Sequence, residues 1–268
     1  MFKQLEQYRQ RPILSLDEMR ETKRGYREWP IDASYSRYNE GCVDVHVCDI
    51  AGVNYYYGPD NPPYYQKIPG STRFLFLRKG VLGKLSGVNE RLRSVGLELF
   101  IHDAWRPAAV QNYMHSEWFP EYLRKRFPEW SALEISQEAD KYWAPGPARQ
   151  KDIDPSSPPP HSTGAAVDLT IRKIGGDALW MGTIFDDVTA RSHTDFLEWN
   201  VDSSVVSFSD DEAQKNRRLL HWIMVEAGFV NNPTEWWHFS WGDQMWAKLT
   251  SAVSGVRTLA WYSVTNPL

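Results

Sequence analysis

Two stretches of this sequence collect the residue types that hold a metal ion and use it: His161-Ser-Thr-Gly-Ala-Ala-Val-Asp168 and Glu235-Trp-Trp-His238. In the first, Asp168 lies inside an apolar run, 165–171, that reads as a buried strand. A carboxylate there loses several kcal/mol of hydration unless something compensates it, and a divalent cation does so. Gly164 permits a sharp turn that would fold His161 back toward Asp168. The competing reading has Asp168 capping a turn or pairing with an arginine and His161 on a surface loop. On this stretch alone the two readings stand level.

In the second stretch, Glu-x-x-His offers a carboxylate to take a proton from water and an imidazole to hold a metal. Residues three apart on a regular strand point to opposite faces. Glu235 is therefore expected at the strand entrance, on the turn after Asn232-Pro233. Alone this motif is a four-letter coincidence. Together the two stretches supply ligands His161, Asp168 and His238 and one free carboxylate, Glu235, which is the composition of a catalytic zinc site with an open position. The ligand spacing differs from H-E-x-x-H on a helix and excludes that scaffold. A third feature is Asp103-Ala-Trp-Arg106-Pro107. Arg106 either stabilises negative charge on a reacting carbonyl oxygen or forms a structural salt bridge to Asp103 or another carboxylate.

The elements that must carry these residues are readable in part. An apolar stripe, Leu77, Val81, Leu85, Val88, Leu92 and Val95, predicts an amphipathic helix, with Gly96 closing it. A strand over 97–103 then delivers Asp103 and Arg106, and Pro107 opens a helix covering much of 108–126. Residues 144–160 read as a loop that three prolines extend up to His161. Ser209 to Glu212 spells a capping box for a helix that Gly228 ends, and the last strand is expected over 235–241. Near the N-terminus, 43–48 alternates like a half-buried strand. Helices and strands mix without a regular βαβ rhythm, which predicts one α+β domain with a mainly antiparallel central sheet flanked by helices. Residues 1–70 are expected as an N-terminal extension packed on a catalytic domain spanning 71–268.

With 268 residues, 42% of them apolar, the chain can bury a sizeable core without a structural metal. Any metal is then expected to serve chemistry. Net charge is −4 with no long basic run, which argues against nucleic acid. No stretch approaches a membrane span, so no membrane partner is expected. Cys42 and Cys48 fit no redox or zinc-knuckle spacing; two free thiols are expected, with a disulfide between them as the alternative. The first residues lack a signal-peptide pattern, and the expectation is a cytoplasmic protein.

HSTGAAVDLT, EWWH, DAWRP, Met181-Gly-Thr-Ile-Phe-Asp186 and the stretch 211–220 together resemble the zinc D-alanyl-D-alanine dipeptidases of the VanX type. The resemblance implies the α+β fold shared by zinc D,D-peptidases and the hedgehog signalling domain. It implies one Zn2+ per chain on His161, Asp168 and His238, with Glu235 as base and then acid and Arg106 on the scissile carbonyl. Asp186 would lie near the substrate's amino group, and Trp237 in the substrate pocket. The implied partner is a small dipeptide, D-Ala-D-Ala, cleaved in the cytoplasm or, for some members, the periplasm. The family usually has serines just before the first histidine, where this chain has Pro159 and Pro160, so another small D-amino-acid peptide is an alternative substrate. A D,D-carboxypeptidase or peptidoglycan endopeptidase on the same metal site is a second alternative, and a non-catalytic zinc module a third.

Overall fold

The computed structural model describes residues 2–142, 146–199 and 207–268. In chain order they form α1 (Phe2–Gln10), α2 (Asp17–Lys23), β1 (Cys42–Asp44), β2 (Ala51–Gly52), β3 (Phe76–Arg78), α3 (Lys79–Arg93), β4 (Leu97–Asp103), α4 (Ala108–Tyr113), α5 (Phe119–Arg126), α6 (Ala132–Tyr142), β5 (Ala166–Lys173), α7 (Phe196–Trp199), α8 (Phe208–Glu226), β6 (Val230–Asn231), β7 (His238–Ser240) and α9 (Gln244–Ser254), linked by turns, short 3-10 segments and longer loops.

Among the described residues, five strands make the central sheet in the order β2-β4-β5-β7-β6. Only the short β2 runs parallel to its neighbour; the other pairings are antiparallel, as the mixed α+β pattern predicted. The site is built on β5. Asp168 lies opposite His238 on β7 and opposite Asp103 on β4, and directly opposed residues project to the same face. Between Ile101 and Asp103 the β4–β5 register shifts. This bulge brings Asp103, not His102, beside Asp168.

The predicted stripe buries Val81, Leu85, Val88 and Leu92 on one face of α3, which packs on β4. Leu77 belongs instead to β3, which leads into the helix. Gly96, at φ 82°, makes the turn into β4. The helix expected over 108–126 forms in two pieces, α4 and α5, joined by a π turn at Met114–Trp118. Pro120 in the first turn of α5 has no N–H to bond back to the preceding turn, and the wider π turn accommodates it.

Three boundaries differ from expectation. The strand expected over 43–48 stops at Asp44, whose side chain accepts from His46 N at 3.0 Å and turns the chain into a 3-10 segment. The cap of α8 is Ser207, accepting from Asp210 N, so the helix starts earlier than the Ser209 box implied. The last strand begins at His238, with Glu235 to Trp237 in the preceding turn. The expected loop 144–160 begins at residues outside those described. Its later part holds a 3-10 turn at Gln150–Asp152 and ends in another at Pro160–Thr163.

The first 70 residues contribute to the same body. β2 extends the central sheet, and α1 lies along α8, with Arg9 Nη1 donating to Asn216 at 2.6 Å and Nη2 to Glu212 at 2.9 Å. Both cysteines are free. No helix among the described residues is long and apolar enough to cross a membrane.

Candidate active site

His161 stands on the 3-10 turn that Pro160 opens and Gly164 closes. Gly164 has φ 70°, and a Cβ there would meet Cys42 Sγ at 2.9 Å, so this reversal needs glycine on two counts. The reversal returns the imidazole to β5. His161 Nδ1 lies 2.7 Å from the Ala104 carbonyl and 3.3 Å from Asp103 Oδ2. That arrangement commits Nδ1 as a donor and leaves Nε2 as the lone-pair nitrogen. Nε2 is 3.1 Å from His238 Nδ1 and 3.3 Å from Asp168 Oδ2. His238 Nδ1 is in turn 3.1 Å from Asp168 Oδ1.

The three side chains are buried, and their ligand atoms all lie within 4.8 Å of one another. Asp168 Oδ1 has no hydrogen-bond partner among the described residues despite full burial. Two nitrogens at this separation, each meeting the other and one carboxylate, suit a shared divalent ion far better than a hydrogen bond between rings. The donor set, two imidazoles and a carboxylate, fits zinc. Burial penalises the Asp168 charge, but the two imidazoles outweigh it and hold this carboxyl well below the ordinary range. His161 is shifted upward because Asp168 overcomes the opposing effects of burial and Arg106.

Glu235 is held by the turn that its N–H closes on Asn232 O at 3.0 Å. Its Oε2 lies 3.5 Å from His238 Nδ1, and the side chain is partly open to the cavity. The turn resolves the facing problem of Glu-x-x-His, since a non-extended Glu235 can share a side with His238.

Arg106 combines both readings left open by the sequence. Its Nε donates to Asp103 Oδ2 at 2.9 Å, Nη1 to Gln111 Oε1 at 2.9 Å and Nη2 to Asp168 Oδ2 at 3.2 Å. Burial opposes its charge, yet Tyr56, Asp103 and Asp168 keep it protonated beyond the ordinary arginine value.

These groups open into one cavity of about 470 Å³, which Asp186 and Trp237 also line. Asp186 has φ 56°, a left-handed conformation that Asp tolerates better than most residues. It accepts from Tyr56 Oη at 2.8 Å and from Tyr64 Oη. Burial, then the charge of Asp168, push its carboxyl up to about 7. Trp237 buries its indole N–H with no acceptor among the described residues. Its ring packs on Phe185, centroids 5.6 Å apart.

Sequence reasoning missed Tyr56, Tyr64, Gln111 and Lys23, all of which reach this region. The tyrosines lie in the Tyr-rich loops after residue 53, a composition signal without a partner in sequence. Two other histidines, His102 and His221, stand apart from the ligand set. Both are buried, and burial depresses them to about 3 and about 4.

A family model described as D-ala-D-ala dipeptidase, of the peptidase M15 group, matches residues 44–255. A D-alanyl-D-alanine dipeptidase of Synechocystis sp. is 37% identical over 182 residues, which cover 64% of this chain and 71% of that protein. One from Escherichia coli is 33% identical over 144 residues, 54% of this chain and 55% of that protein. Among solved structures, a vancomycin resistance D,D-pentapeptidase VanY in complex with Zn(II) aligns over 76% of this chain and 93% of its own. Its identity is 15% and its TM-score 0.41. With four-fifths of its length inside the match, the chain belongs to the peptidase M15 family of D-Ala-D-Ala dipeptidases.

Proposed function

We propose that this protein is a zinc-dependent dipeptidase that hydrolyses D-Ala-D-Ala, with His161, Asp168 and His238 as ligands and Glu235 as the proton carrier. The observation that carries the proposal is the convergence of His161 Nε2, His238 Nδ1 and the Asp168 carboxylate beside a further carboxylate, Glu235, in a cavity of dipeptide size. Bound zinc supplies Lewis acidity and lowers the pKa of a coordinated water to about 7.

The chain's own groups do the rest. Glu235 takes a proton from the attacking water as its oxygen bonds to the scissile carbonyl carbon. Arg106, held in one orientation by Asp103 and Gln111, presents a permanent positive charge to the oxygen that becomes negative. Glu235 then gives its proton to the departing nitrogen as the C–N bond breaks, leaving two free alanines. Asp186, which lines the same cavity, would take the substrate ammonium, and Trp237 would wall the substrate.

The test is a stereoisomer panel of free dipeptides on metal-loaded protein, alongside Glu235→Ala. The variant is expected to retain one zinc per chain while kcat falls at least about a hundredfold, the low end for a lost general base. Native turnover by that variant, or no preference for D,D over L,L dipeptide, would count against the assignment.

A further inference from the structure

The cavity contains a cation that the mechanism above does not use. Lys23 ends α2, in a segment that precedes the family match at residue 44. Its half-buried side chain lines the cavity together with Glu235 and His238. The ammonium donates to Asn232 Oδ1 at 2.7 Å and to Thr234 Oγ1 at 3.2 Å. Both acceptors are neutral, and an ammonium has three N–H donors. Among the described residues Lys23 forms no ion pair, and one donor is left for the cavity. Burial lowers its pKa from the ordinary lysine value, and Glu235 only partly opposes this. No carboxylate among the described residues contacts the ammonium directly, and a substrate carboxylate would add to the partial compensation from Glu235.

The position of this cation is fixed by a dedicated anchor. Arg20, one turn earlier on α2, grips Asp195 through both terminal nitrogens, at 2.8 and 3.0 Å. The same carboxylate accepts from Leu16 N at 2.7 Å. Arg20 also donates to the Pro233 carbonyl at 3.3 Å, so α2 is fastened to the very turn that carries Glu235. A long, entropically free lysine would gain little from this bracing on an open surface.

We propose that Lys23 receives the free C-terminal carboxylate of the substrate and so restricts cleavage to peptides with a single residue beyond the scissile bond. This rests on the dipeptidase reading. A dipeptide keeps both of its charged ends at the site. Asp186 can meet the ammonium, but Arg106, the other arginine or lysine among the described residues lining the cavity, is braced by Asp103, Gln111 and Asp168 and is assigned above to the scissile carbonyl. The spacing also agrees. The carboxylate lies one residue, roughly 3.5 Å of chain, past the bond being cut, and Lys23 touches Thr234, the residue adjacent to the base.

The competing role is a brace that merely steadies the 232–235 turn. Comparing D-Ala-D-Ala with its C-terminal amide separates the two. In the native holoenzyme the free acid should be preferred. Lys23→Met should raise KM for D-Ala-D-Ala by roughly 10- to 100-fold, the worth of one charge-assisted hydrogen bond, with little change in kcat. KM for the amide should stay as it was, erasing the preference, and Lys23→Arg should restore part of it. Equilibrium titration of D-Ala-D-Ala into the Glu235→Ala protein, with and without Lys23→Met, should give the same loss of affinity without turnover. Equal damage to both substrates, or none to either, would overturn the proposal. If Lys23→Met does not fold, Lys23→Gln serves the same comparison. A native protein inactive on D-Ala-D-Ala would instead remove the dipeptidase reading, and this proposal with it.

Discussion

Asp186 links the pocket to pH. Burial is the main reason that its carboxyl rises to about 7, and the neighbouring charge of Asp168 adds to it. In the free protein the group is ionised above that value and neutral below it. If Asp186 takes the substrate ammonium, KM for dipeptide should climb as pH falls through 7, by up to about tenfold per unit. Asp186→Asn should have a high KM without that step. A native KM constant from about pH 5.5 to 8 would separate Asp186 from the ammonium. The same shift bears on folding. A folded-state carboxyl raised from 3.8 holds its proton more tightly than in the unfolded chain, so its stabilising contribution is complete below about 4 and is lost as pH rises toward 7.

At the scale of elements, α2 depends on one buried carboxylate. Asp195 accepts from the Arg20 guanidinium and from Leu16 N, with its side chain 2% exposed. Asp195→Ala leaves Arg20 with only the exposed Asp17 as a counter-ion and should cost about 3 kcal/mol of stability, the usual penalty for removing half of a buried pair. Denaturant unfolding measures this; a loss below 1 kcal/mol, the range of exposed pairs, would mean that α2 is held by other contacts. Elements were most legible where a single period governed them. The strand over 97–103 emerged with its expected bounds, and the α3 stripe formed a helix. The ends were less legible, because Asp44, Ser207 and Glu235 make local side-chain or turn bonds that compete with strand and helix. For the site, His161, Asp168, Glu235 and His238 stood in two short motifs. Lys23 was invisible because its partner Asn232 is 209 residues away, and a lone lysine on a short polar helix carries no pattern.

For the whole molecule, the core is large and independent of the ion. Leu85, Leu99, Ile101, Val167, Leu169, Ile223 and Phe239 belong to one fully buried cluster spanning the sheet and its helices. Chelation should therefore abolish activity but leave far-UV circular dichroism and a cooperative thermal transition, with Tm lowered by the lost binding energy. Collapse of secondary structure on chelation would instead make the metal part of the fold, as in small zinc domains. Metal affinity should also weaken as pH drops, because Asp168 favours the protonated form of His161 and the incoming ion must displace that proton.

The Asp103–Asp168–His238 row has a consequence for how this protein could change. A strand position has only two faces, so inserting or deleting one residue in β7 would present Trp237 or Phe239 at the place of His238. Drift in length along β7 would thus end metal binding in a single step, whereas loops at the pocket rim, such as the Pro159–Pro160 approach, can be rewritten one substitution at a time. The chemistry is locked by counting, and the choice of substrate is left free to wander.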